Sequence, residues 1–153
     1  MQGVLRPVTA LLLATAIAMA GHGILVMLLP LKASAADFSS FEIGLMGSGY
    51  FAGLVGGCLL APSIISRVGH IRAFSAFTAS VTAVPLIHAV AIDPITWVPL
   101  RIIQGLCCAG LWLVIESWLN AAADTSTRGR VLGAYTLIQL TLQTVGMQLA
   151  GSL

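Results

Sequence analysis

Two ionisable residues sit inside an otherwise apolar stretch. Arg101 and Glu116 fall in the segment from Pro94 to Ala121. A charge within a bilayer is costly, so each such residue is a candidate functional site. Arg101 follows Pro94 by enough residues to lie about 10 Å along a helix, at 1.5 Å per residue. At about 100° per residue, Arg101, Gln104, Gly105, Cys108, Trp112 and Glu116 fall within about 60° of a common line. Ile103, Leu106, Leu113 and Val114 lie opposite. Such a stripe either hydrogen-bonds neighbouring helices or lines a water-filled substrate path, and the buried arginine favours the path.

A second polar face follows. Thr136, Gln139, Gln143, Gly146 and Ala150 keep helical spacing, and the two glutamines could line a cavity or bridge helices. His22 stands between Gly21 and Gly23 near the middle of the first apolar segment. Its ordinary pKa near neutrality suits a proton relay, and a neutral hydrogen-bonding role fits equally. His88 reads as an interfacial residue near the end of its segment. Glu116 lies near the other end of the arginine-bearing helix, where Arg67, Arg72, Arg128 and Arg130 are the basic candidates. A Glu116 pair with Arg67 or Arg128 that forms in one conformation only would act as an inner gate. The alternative is a solvated interfacial glutamate.

Other chemistries leave no trace. There is no His-Glu-x-x-His, no Gly-x-Ser-x-Gly and no phosphate-binding Gly-x-x-x-x-Gly-Lys-Ser/Thr, so neither an enzyme nor an ATP-driven machine is indicated. Cys58, Cys107 and Cys108 have no zinc or redox spacing and read as small buried thiols between helices. No cofactor or metal site is expected. Seven basic against five acidic residues is no nucleic-acid footprint.

These residues need elements to hold them. The chain of 153 residues is 58% hydrophobic and 8% charged. A soluble domain has about a quarter charged residues, so the partner of this surface is the lipid bilayer. A spanning helix takes about 20 apolar residues, and five segments qualify: residues 8–31, 40–65, 73–92, 94–121 and 131–153. The first could be mistaken for a signal peptide, because Arg6 precedes an apolar run that reaches Ala18-Met19-Ala20. The run continues to Leu29, which predicts an uncleaved helix. Ser39 with Glu42 forms a capping box, with Phe38 and Ile43 placed as a hydrophobic staple. Asp93 before Pro94 starts the fourth helix. Pro62 and Pro85 should bend the second and third. Gly49, Gly53 and Gly57 share a face on the second helix, and Gly105 adds a small residue on the fourth, as close helix packing requires. Arg6, Arg67, Arg72, Arg128 and Arg130 fall on one side of the membrane, which the positive-inside rule makes cytoplasmic.

Arg101-Ile102-Ile103-Gln104-Gly105, followed by small residues, resembles the fourth-helix Arg-x-x-Gln-Gly motif of the major facilitator superfamily. Ser66-Arg67-Val68-Gly69-His70-Ile71-Arg72 resembles that superfamily's signature between helices two and three, and Arg128-Gly129-Arg130 is common there before helix five. Glu116-Ser117-Trp118-Leu119-Asn120 further resembles a bacterial branch of unknown substrate. Ser66 stands where the signature carries Asp, and Pro62 where it carries Gly. The fifth helix lacks the Gly-Pro pattern of drug/proton exchangers.

The resemblance implies an all-α polytopic transmembrane bundle, supplying five of about twelve helices arranged in two six-helix halves. The chain would be a fragment or a truncated gene product, lacking the sixth helix and the second half of the transporter. It implies a secondary active transporter of a small-molecule substrate by alternating access, with protons as candidate coupling ions and Arg101 taking part in coupling. The location implied is a bacterial inner membrane. The alternative is a small structural or accessory membrane protein with no transport activity of its own.

Overall fold

The computed structural model describes residues 2–152, with side chains from Thr9 onward. The Arg6 side chain, part of the charge pattern above, lies outside the described residues. Among them there are five helices and no strand: α1 Gln2–Ala35, α2 Ser40–Val68, α3 His70–Val90, α4 Pro94–Ala122 and α5 Arg128–Gly151.

The helix starts follow local chemistry. The Ser39 backbone N–H donates to Glu42 Oε2 at 2.7 Å, and the Glu42 N–H donates to Ser39 Oγ at 3.3 Å, which closes the capping box of α2. Phe38 stacks against Trp97, with ring centroids 5.2 Å apart. Asp93 Oδ1 accepts the Thr96 N–H at 2.8 Å ahead of Pro94, so the first turn of α4 is capped. Pro62 and Pro85 are accommodated within continuous helices. One residue, Gly69, separates α2 from α3, at φ 84° and ψ 159°. A Cβ would strain that backbone, so the tight joint requires glycine.

Four helices are long and apolar enough to cross a membrane: Thr9–Ala35, Ser40–Val68, His70–Val90 and Pro94–Ala122. The fifth segment, expected above to qualify as a span, falls short of that apolarity among the described residues. Thr136, Gln139, Thr141, Gln143, Thr144 and Gln148 make α5 the most polar of the five. Large apolar side chains face outward, with Ile95 and Val90 each 86% exposed. Water would penalise that surface, and hydrocarbon does not.

The chain forms two compact units, Met1–Leu31 with Ile115–Leu153, and Lys32–Val114. In the second unit, α2 and α4 touch backbone to backbone. A Cβ at Gly53 would overlap the Ile102 carbonyl, one at Gly57 would lie 2.5 Å from the Leu106 carbonyl oxygen, and one at Gly105 would overlap the Tyr50 carbonyl. At Gly49 the nearest atom, Ile102 Cγ1, would be 3.3 Å away. Phe77 of α3 fills the space beside Gly110 of α4. The first unit repeats this device with α1 and α5. Gly23 lies against the Gln143 carbonyl and Gly146 against the Ala20 carbonyl. Small residues bring two backbones close, and dispersion then holds helices that lipid would not drive together.

Cys107 and Cys108 are buried, but Cys58 is exposed on α2, which corrects the reading of all three thiols as buried. Gly53 and Gly57 turn their own side of α2 toward α4, and this leaves Cys58 on an outward side.

Candidate functional site

Arg101 is 7% exposed and Gln104 is fully buried. They are three residues apart on α4, so their side chains meet on one face. Arg101 Nη1 donates to Gln104 Oε1 at 2.8 Å. An arginine only donates, so the amide oxygen must face it, and the amide nitrogen is turned the other way. That nitrogen, Gln104 Nε2, is buried with no hydrogen-bond partner. The guanidinium carbon lies 4.4 Å from the centroid of the Tyr50 ring, a cation–π arrangement that comes from α2. The Tyr50 hydroxyl and the Cys108 thiol share a hydrogen bond. The approach of α2 at Gly53 and Gly105 is what places Tyr50 here.

An aromatic cluster closes the end of the same face. The His88 and Trp97 rings are 5.2 Å apart, and Trp97 Nε1–H donates to the Ala91 carbonyl. His88 Nδ1 lies 2.9 Å from the Val84 carbonyl oxygen, which fixes the proton on Nδ1. His88, in the last turn of α3, is 2% exposed and packs against Trp97.

In the first unit, His22 is buried on α1 beside Gly23, where the Gln143 backbone packs. Gln143 and Gln139 are half-buried, and Gln139 Nε2 donates to the Tyr135 hydroxyl at 3.3 Å. Tyr135 in turn hydrogen-bonds the exposed Glu116. The phenol donates to the carboxylate and accepts from the amide, so the chain Gln139 to Tyr135 to Glu116 runs in one sense. Arg67 and Arg72 lie in the last turn of α2 and the first turn of α3, and Arg128 and Arg130 in the first turn of α5. All four are exposed.

The sequence model of the Major Facilitator Superfamily matches residues 11–153, across every described helix. The chain belongs to the Major Facilitator Superfamily. It is similar to uncharacterised MFS-type transporters named YcaD, including those of Salmonella typhi, Salmonella newport (strain SL254) and Salmonella typhimurium. Each is 30% identical over 133 residues, which covers 87% of this chain and 35% of the relative. The chain therefore spans about a third of the length of the curated relatives it matches. No solved structure matches it. Membership makes it a multi-pass membrane protein of a bacterial transporter family.

The structure brings Arg101 and Gln104 together and adds three residues that sequence reasoning passed over. Tyr50 was legible in retrospect, because Met46, Tyr50, Gly53 and Gly57 keep the spacing of one helix face and all four are buried. Tyr135 lies one turn before Gln139 on the stripe already noted. Trp97 lies one turn before Arg101 on α4 and is fully buried.

Proposed function

We propose that the chain forms the front part of a secondary active transporter that moves a small solute by alternating access. The observation that carries this reading is the Arg101–Gln104 pair. A buried cation that hydrogen-bonds only a neutral amide is poor structural cement in a bilayer, and it suits a site that meets a charged solute or coupling ion. The polar face of α5 supports the same reading. Gln139 and Gln143 are the candidates to meet solute in the first unit, with His22 as a candidate proton carrier, and Arg101 and Gln104 are the candidates in the second. With no nucleotide-binding loop in the sequence, the driving force is an ion gradient or the solute gradient.

The N-terminus lies in the cytoplasm of a bacterial inner membrane. Arg67 and Arg72 flank the α2–α3 joint and Arg128 and Arg130 open α5, and positive charge stays inside. Glu116 works as a two-position gate residue, held by Tyr135 in one state and by Arg128 in another.

Single cysteines at Gln139 and Gln143 test the reading in the full-length protein, with native cysteines replaced by serine. An impermeant maleimide applied to right-side-out and inside-out vesicles should reach both positions from either side, with rates that change in opposite directions when solute gradients are imposed. Labelling confined to one side under all conditions would refute alternating access.

A further inference from the structure

We propose that Arg101 and Gln104 form a recognition site for the carboxylate group of a monoanionic solute. The inference rests on the transporter reading and names its substrate class.

Arg101 as a residue is 7% exposed, and one of its guanidinium nitrogens is engaged by Gln104 Oε1. The ionisable groups that act on it are Tyr50, Cys108 and His88, and none of these side chains supplies a negative charge at neutral pH by its ordinary chemistry. The unit that contains Arg101 has three acidic residues, Asp37, Glu42 and Asp93. Glu42 is committed to the Ser39 capping box and Asp93 to the first turn of α4, while Asp37 occupies a left-handed turn position after α1. The positive charge therefore lacks a counter-charge in its own unit.

Gln104 supplies the second observation. Its Nε2 is buried, has no acceptor, and shares a carbon with the oxygen that holds Arg101. Because the amide carbon joins that nitrogen to the oxygen held by Arg101, an anion accepting from Nε2 would lie a few bonds from the guanidinium and could reach it with a second oxygen. One acceptor group would satisfy the orphan donor and neutralise the cation together, which no neutral ligand does. The charge count sets the class. A single guanidinium with a neutral amide matches one negative charge, and a phosphate dianion would leave excess charge in an apolar setting. The Tyr50 ring covers one face of the guanidinium, so a planar carboxylate has to approach edge-on, the geometry that Arg favours.

The same carboxylate chemistry could come from a free solute or from a side chain elsewhere in the full-length protein, and the test separates them. Purified full-length protein is titrated with sodium benzoate, and with benzamide as the uncharged match, at constant ionic strength, with thermal unfolding as the readout. Benzoate should stabilise saturably and benzamide should not. Arg101→Gln should abolish the effect. Gln104→Glu places a permanent carboxylate against Arg101 at unchanged size. It should raise thermal stability without any ligand and weaken benzoate binding by at least about tenfold, so the test does not depend on the arginine variant folding. Benzoate acting no better than benzamide would overturn the proposal, as would benzoate binding that survives Gln104→Glu. Stabilisation by Gln104→Glu with no benzoate response would place the counter-charge within the protein and equally overturn a solute site. The maleimide test at Gln139 and Gln143 uses neither variant, so failure of alternating access would be seen separately.

Discussion

Two glycines three residues apart on α2 should respond oppositely to the same substitution. A Cβ at Gly53 would overlap the Ile102 carbonyl and lie 2.8 Å from its carbon and 3.0 Å from Ile102 Cα. Comfortable carbon contacts begin near 3.5 Å, so Gly53→Ala must push α2 and α4 apart by on the order of 1 Å. The atoms in the way are backbone and cannot rotate aside. Overpacking of this kind costs about 1–3 kcal/mol, and the better helix propensity of alanine returns at most about 1 kcal/mol. Gly56 has nothing within 4 Å of the same built atom. Gly56→Ala should therefore gain up to about 1 kcal/mol. The propensity gain is common to both, so the two variants should differ by the overpacking cost alone, about 1–3 kcal/mol, several degrees in unfolding temperature of the detergent-solubilised protein. Ile102 is the neighbour of Arg101, so Gly53→Ala should also reduce transport more than its stability loss explains. Equal stability for the two alanines would refute the claimed backbone contact and the placement of Tyr50 that depends on it.

Arg101→Lys keeps the charge but loses the fork, so it should reduce uptake at equal membrane abundance by about tenfold or more, measured in vesicles of the full-length protein. Tyr135→Phe removes the hydroxyl between Gln139 and Glu116, and Glu116→Gln weakens the same link. In a double-mutant cycle read by inner-side cysteine accessibility, the pair should be non-additive. Asp93 is held below the ordinary carboxylate range by hydrogen bonds from Thr96, so its capping contribution is complete above the ordinary value of about 4 and is lost as pH falls through the lowered one. Asp93→Asn should remove that acid-side loss in a pH series of unfolding temperatures, leaving neutral-pH stability nearly unchanged. Reporter fusions after Arg72 should be cytoplasmic and those after Asp93 external, as scored by paired cytoplasmic and periplasmic reporters.

Periodicity and caps are local, and they were legible in the sequence. The Ser39–Glu42 box and the Asp93 cap stand as read, and the all-helical class follows from long apolar runs. The joint after α2 needed only Gly69, although seven residues around it read as loop. A single positive-φ residue reverses the chain, so Arg67 and Arg72 belong to helix ends. Arg101 drew attention by its depth alone. What the sequence could not show was the direction each neighbouring helix presents. Tyr50 lies under Arg101 because α2 is rotated to bring its glycines against α4, and nothing in a one-dimensional pattern fixes that rotation. For the same reason Cys58 was misread as buried and the burial of His88 was not foreseen. Burial depends on which neighbour covers a residue, and Trp97, from another helix, covers His88.

The one-residue joint at Gly69 has a mechanical consequence. With no slack between Val68 and His70, α2 and α3 behave as two arms of a crank with almost no backlash. A twist of α2 about its axis would have to pass through Gly69 alone to reach the first turn of α3, and Arg67 and Arg72 stand on either side of it. Lengthening this joint by a few flexible residues would leave both arms folded while uncoupling their strokes.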